Sequence, residues 1–305
     1  MVTIGIPKGM FFFEYSLIWE EFFRKLGFQV IFSQDTNKNI LDEGIKCCSN
    51  ETCLPVKVFH GHVMSLKDKV DYVFIARYQS TGKNEYTCPK ICGLPDMIRA
   101  NLCGQVRILE AKINLNSDTN ETKESLLEMA RTLKVKAAEV MEAYNAACEK
   151  YSKTVLEKSK MNSKKAVGDK AGVLILGHPY MIFDNYVSMR LIDKLKRRNI
   201  AVFTPKDIDC DTKRLNAYPY QGKIFWDIGF ELLGSAFTYV KDERIKGMIY
   251  LTPFACGLDA FIMEFIELGV KSNCRKFPML RLTVDEHTGE AGFDTRLEAF
   301  IDMIG

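Results

Sequence analysis

Short β-rich runs alternate with segments of helical period along all 305 residues, and this alternation restricts the folds open to the chain more than any other feature. It is the pattern of parallel βαβ units, in which each crossover helix carries the chain back to the same edge of the sheet. The sequence predicts strands at 2–7 (VTIGIP), 28–33 (FQVIFS), 72–77 (YVFIAR), 105–110 (QVRILE), 172–177 (GVLILG), 200–204 (IAVFT), 247–252 (GMIYLT) and 277–284 (FPMLRLTV). Helices are expected at 12–26, 54–67, 185–198, 222–240 and 258–272, and apolar residues at i, i+3 and i+4 predict one long helix from 119 to 160. The lysine-rich stretch KSKMNSKKAVGDKAG that follows carries Gly, Ser and Asn and reads as a hinge.

An internal repeat supports a division into halves. Residues 4–33 line up with 176–204 as strand, Gly-x-Pro, loop, amphipathic helix and strand. A second echo in the same order sets Cys92-Gly93-Leu94 against Cys256-Gly257-Leu258. The expected architecture is α/β: an N-terminal domain at 1–118, a long connecting helix and linker at 119–170, and a C-terminal domain at 171–305. Both domains are expected to be Rossmann-like (flavodoxin-like) with parallel sheets.

Charge excludes little: 42 Lys and Arg against 39 Asp and Glu give +3, too balanced for nucleic acid or a membrane surface to be the main partner. The opening residues show no basic leader followed by a small-residue cleavage site, and no apolar run approaches the roughly 18 residues of a span. The expected location is the cytoplasm. There, ten cysteines point to packing, catalysis or metal rather than disulfides. No C-x2-C pair occurs, so any metal site has to be assembled by folding.

Ligands of open parallel sheets bind beyond the carboxyl ends of the strands. Cys88 and Cys92 follow the strand predicted to end at Arg77, Cys256 follows the strand predicted to end at Thr252, and Cys53 precedes Pro55 at a helix start. Free N–H groups and the dipole at a helix start favour thiolate over thiol. Cysteine-rich sites without histidines at ligand spacing point to iron–sulfur clusters or Cys-only zinc.

The blocks ETCLPVKVFHGHV, KVDYVFIAR, EYTCPKICGLPDMIRA, GHPYMIFDNY, IFWDIGFELLGSA, TPFACGLDAF and DEHTGEAGFDTRLEAFIDMI together resemble the 2-hydroxyacyl-CoA dehydratase superfamily, closest to its acyl-CoA dehydratase activase-related proteins. The resemblance implies two α/β domains with a 4Fe–4S cluster in the cleft between them. It also implies an ATP-dependent activase, or another low-potential donor, that delivers one electron for reduction of an acyl-CoA thioester to a ketyl radical. Some relatives carry a double-cubane cluster and reduce small molecules. On this chain the motif cysteines are Cys53, Cys88 and Cys256, the ligands the resemblance implies. Cys92 stands where the family has another residue and is a candidate fourth ligand. Three thiolates leave one iron open for substrate, whereas four close it and favour a noncatalytic carrier or adaptor that docks the activase. Homo- or hetero-oligomers both remain open.

Other residues are weighed for chemistry. Adjacent Cys47 and Cys48 are reserves, while packing accounts for Cys103, Cys148, Cys210 and Cys274. His60 and His62 read as structural histidines. His178 and Tyr180 stand in a strand-to-helix loop and are candidates to face a cleft, and Glu286, His287 and Glu290 occupy a polar turn where acid or base duty is conceivable. Arg77 holds either an anion or a neighbouring carboxylate. No G-x-G-x-x-G follows a strand and no G-x-x-x-x-G-K-[ST] occurs, so neither a dinucleotide fingerprint nor a P-loop is visible.

Overall fold

The computed structural model describes residues 1–82, 84–116, 120–162, 170–220, 224, 226–272 and 276–305. Cys274 and residues 163–169 of the lysine-rich stretch lie outside them. The chain divides into two compact units, Met1–Leu156 and Glu157–Gly305.

The first unit runs β1 (Thr3–Ile6), α1 (Phe12–Lys25), β2 (Gln29–Phe32), α2 (Lys38–Lys46), α3 (Leu54–Leu66), β3 (Tyr72–Gly82), β4 (Glu85–Tyr86), α4 (Pro89–Cys92), α5 (Leu94–Leu102), β5 (Ile108–Asn114), α6 (Glu121–Leu133) and α7 (Ala137–Asn162). The last of these helices continues a few residues past the unit's boundary. Four strands are parallel in the order β2-β1-β3-β5, and the two-residue β4 turns back antiparallel on β3. Ile4 stands opposite both Val30 and Tyr72, and Val73 opposite Ile108.

The second unit runs β6 (Gly172–Leu176), α8 (Pro179–Ile182), α9 (Leu191–Arg197), β7 (Ala201–Phe203), α10 (Cys210–Ala217), α11 (Asp227–Tyr239), β8 (Ile245–Pro253), α12 (Gly257–Ser272), β9 (Met279–Val284) and α13 (Glu290–Ile304). Its sheet is wholly parallel in the order β7-β6-β8-β9. All five residues of β6 are buried, as expected of a central strand covered on both faces. Each Leu or Ile there contributes roughly 1.5–3 kcal/mol by leaving water.

The two units use the same device after their first long helix. Gly27 (φ +81) and Asn199 (φ +59) each adopt a left-handed conformation. Around them the N–H of Phe28 reaches Phe23 O and that of Ile200 reaches Leu195 O, the long bond of a Schellman motif that turns the helix into an edge strand. Both units also place a helix pair between their second and third long strands, and the pairs cross at glycine. A Cβ on Gly61 would stand 1.8 Å from Ile40 O, one on Gly44 1.8 Å from Lys57 O, and one on Gly234 2.2 Å from Lys213 O.

Three expectations need correction. The helix predicted from 119 to 160 is two helices, broken where Lys134 takes a left-handed conformation (φ +56) and Val135 N–H reaches back to Ala130 O. The stop carries neither Gly nor Pro, so the apolar period runs through it unmarked. α7 packs within the first unit: Val140, Ala143 and Ala147 are buried, and the Tyr144 ring lies 6.1 Å from that of Trp19. The helix predicted at 185–198 begins only at Leu191, because Asp184 Oδ1 accepts the N–H groups of Tyr186 and Val187 in a separate turn and Met189 and Arg190 are both left-handed.

Candidate functional site

Each motif cysteine stands at the N-cap of a helix. Cys53, with extended backbone, precedes α3 and Cys88 precedes α4, each helix with a proline in its first turn. Proline is tolerated there because the first N–H groups of a helix have no intrahelical partner. Cys256 precedes α12, and its sulfur accepts the N–H of Asp259 at 3.5 Å, a capping interaction three residues along. All three are partly exposed and none is in a disulfide.

The route to Cys88 differs from the predicted one. β3 does not end at Arg77 but continues to Gly82 and folds back through β4, so that Thr87 hydrogen-bonds to the carbonyl of Tyr78. The hairpin returns the chain to the level of Tyr78 before α4 starts. Arg77 then binds three groups at once: Glu110, both oxygens of Asp96 at 2.8 Å, and the carbonyl of Cys92 at 2.9 Å. Of the two roles weighed for Arg77, this is the carboxylate one; the guanidinium ties α4 and α5 to the sheet. Cys92 lies four residues after Cys88, one helical turn along, and is also partly exposed.

In the second unit a denser cluster forms. β6 and β8 are hydrogen-bonded neighbours, so the loops at their carboxyl ends leave the sheet side by side. Gly177 (φ +153) ends β6 in a conformation that disfavours a side chain, and a Cβ there would also meet Leu251 O at 2.5 Å. The next residue is His178. The loop after β8 makes its own tight turn at Ala255 (φ +64) and delivers Cys256; Asp259 follows on the first turn of α12. Ligand atoms of His178, Cys256 and Asp259 lie within 4.8 Å of one another.

Asp259 is fully buried and accepts from Tyr250 Oη at 3.1 Å and Thr252 Oγ1 at 2.8 Å. His178 Nε2 stands 2.9 Å from Asp259 Oδ1, at ion-pair distance. The ring N–H is not in line with that oxygen, however, and Nε2 is a buried atom without a hydrogen bond among the described residues. Burial alone would push the imidazole pKa down, but the Asp259 charge and the Cys256 sulfur more than reverse this and hold it well above the usual histidine value. Tyr180 stacks on His178, ring centroids 4.8 Å apart.

The remaining candidates are accounted for locally. His62 bonds Ser33 Oγ and Thr36 Oγ1, both at 2.9 Å. His60 Nδ1 donates to Val56 O at 2.8 Å and Nε2 lies 2.9 Å from Asn101 Nδ2. Glu290 pairs with Lys194 at 2.7 Å at the start of α13, and His287 N–H donates to Asp285 Oδ1 in a turn closed by Thr288. The Cys48 thiol is pushed up to about 12 by burial first and by Cys47 next. Cys103 and Cys210 are exposed, so packing does not explain them; Cys148 is half-buried beside Tyr144. Asp259 is the residue that sequence reasoning missed. Its signal was an acidic residue three positions after a cysteine, where one helical turn brings both to the same face.

An α/β chain with parallel sheets and polar side chains gathered at strand ends is of the class that binds ligands beyond the carboxyl edge of the sheet. The chain belongs to the family described as CoA enzyme activase uncharacterised domain (DUF2229), whose model matches residues 3–208. No curated protein matches the sequence. Solved structures similar to it include the SBP FpvC from Pseudomonas aeruginosa in complex with Mn2+, at 10% identity over 99% of this chain and 97% of that chain with a TM-score of 0.30. A periplasmic binding ribose operon repressor protein from Lactobacillus acidophilus follows at 12% identity, 99% and 90% coverage and a TM-score of 0.24. Glucosamine-6-phosphate deaminase from Thermotoga maritima matches at 11% identity, 94% and 76% coverage and a TM-score of 0.24. Likeness at this level carries no argument about ligand or chemistry. Among the described residues no helix is long and apolar enough to cross a membrane.

Proposed function

We propose that this chain is an iron–sulfur protein of the 2-hydroxyacyl-CoA dehydratase type, with Cys53, Cys88 and Cys256 as ligands of a 4Fe–4S cluster. The observation that carries the reading is that all three motif cysteines stand at helix N-caps, partly exposed and outside any disulfide. Backbone N–H groups at such positions can donate to sulfur, which suits the donor set of a cluster. The family's description, a CoA enzyme activase domain, supports the activase-related part of the reading.

When bound, such a cluster supplies one-electron reduction at very low potential, and an acyl-CoA thioester or another small molecule is the proposed substrate. The chain's own residues hold the thiols: Arg77 fixes α4 through the Cys92 carbonyl, and Asp259 N–H caps the Cys256 sulfur. The proposed electron donor is a separate ATP-dependent activase, and the proposed setting is the cytoplasm. The matching strand orders and Schellman stops support reading the halves as related domains. A second reading, an electron relay or activase adaptor without catalysis, is favoured by Cys92, which lies one helical turn from Cys88 and would close the fourth position.

Anaerobic purification followed by iron and acid-labile sulfide analysis tests the assignment. Changing Cys53, Cys88 or Cys256 to Ser is expected to lower both sharply; unchanged content in all three variants would refute it.

A further inference from the structure

The cluster reading uses the Cys256 sulfur of the second unit and the Asp259 N–H that caps it, and leaves the His178 imidazole and the Asp259 carboxylate without a role. His178 and Asp259 are 2% and 0% exposed, and burying an imidazole against a carboxylate costs desolvation that a well-aligned hydrogen bond would offset. That alignment is missing. Nε2 lies at 2.9 Å from Oδ1 with no hydrogen bond of its own, while the Cys256 sulfur stands within 4.8 Å of both atoms. Two ligand atoms 2.9 Å apart that do not point at each other leave a cation able to bridge them in place of the ring proton.

We propose that His178 Nε2, Cys256 Sγ and the Asp259 carboxylate form a site for a single divalent ion of the zinc, cobalt or ferrous class, in protein that carries no cluster. One nitrogen, one thiolate and one carboxylate are the borderline donor set such ions prefer, and the set is a poor one for calcium or magnesium. Ligand atoms around a tetrahedral ion of this class stand about 3.3–3.6 Å apart, given bond lengths near 2.0–2.3 Å. The observed spacing needs only that the imidazole and carboxylate part by a few tenths of an ångström and the sulfur close in. Supporting contacts are in place, since Tyr250 and Thr252 hold the carboxylate through their hydroxyls. Three protein ligands leave a fourth position for water or a substrate oxygen.

Because a single thiolate is common to both proposals, the test uses full-length chain freed of iron and sulfide and titrated with cobalt(II). One equivalent is expected to give a thiolate-to-cobalt charge-transfer band with tetrahedral ligand-field bands, and zinc is expected to displace it. Cys256→Ser should abolish the charge-transfer band, and His178→Ala and Asp259→Asn should each weaken binding more than the roughly 10–100-fold typical of losing a supporting contact. The Cys53→Ser/Cys88→Ser double variant should keep the spectrum. Circular dichroism reports folding of each variant, and Cys256→Ser, at a partly exposed position, keeps the test decisive if Asp259→Asn does not fold. No spectrum in the parent chain, an unchanged one in His178→Ala, or its loss in the Cys53/Cys88 double variant would each overturn the site. None of these results depends on whether anaerobic protein holds a cluster.

Discussion

His62 sits in α3 with both ring nitrogens bonded to hydroxyls and with Lys8 and Asp35 as its charged neighbours. Burial first, and Lys8 second, bring its pKa down from 6.5 to about 4. The unfolded chain therefore binds more protons than the folded one between those values, so the contribution is fully present above pH 6.5 and lost as pH falls through 4. The loss is on the order of 3 kcal/mol. Urea unfolding at a series of pH values should show a shallower acid slope for His62→Gln than for the parent; equal slopes would contradict the buried neutral imidazole. Cys148 makes the contrasting case among the thiols. Its pKa is raised by burial beside Tyr144, so Cys148→Ser is expected to leave iron content unchanged, and a loss would show that ligand and core cysteines have been sorted wrongly. At this scale the sequence marked His178 and Cys256 through their places after strands. It did not mark Asp259, whose importance comes from the hydroxyls and imidazole that tertiary folding turns toward it.

Helix pairs carry the same lesson at the level of elements. α2 and α3 cross so closely at Gly44 and Gly61 that any Cβ would run into backbone carbonyl, which cannot move aside as a flexible side chain can. The crossing sets the direction in which α3 starts, and Cys53 with it. Gly61→Ala is expected to cost about 2–3 kcal/mol or more by overpacking. Gly292→Ala, at an exposed position of α13 with nothing near its Cβ position, should instead stabilise by roughly 0.5–1 kcal/mol. Thermal or urea unfolding of both variants measures the contrast, and a neutral Gly61→Ala would mean the helices can separate at no cost. The eight strands of the sequence reading all exist, because alternation and β-branched content act locally. The α6–α7 break and β4 were illegible for the opposite reason: a lysine in a left-handed cap and a two-residue strand are selected by what packs around them.

Each of the two units encloses its own core around a parallel sheet, so cooperative unfolding should follow the units. Amide hydrogen exchange is expected to be slowest in β6 and β8, whose residues are almost all buried between flanking strands. Gly61→Ala should lower protection across β1 and β3 and leave β6 and β8 unchanged; a uniform loss would show one cooperative body instead. What the sequence determined by itself was the alternation of strands and helices, the order of the elements and the placing of thiols at helix starts, since these follow from periodicity and from prolines acting over a few residues. What only the tertiary structure decided was which side chains meet. His178 and Asp259 are 81 positions apart along the chain, and they become neighbours because β6 and β8 pair in parallel and release their loops at the same edge. No local pattern encodes that pairing; it is set by the burial of two strands against each other.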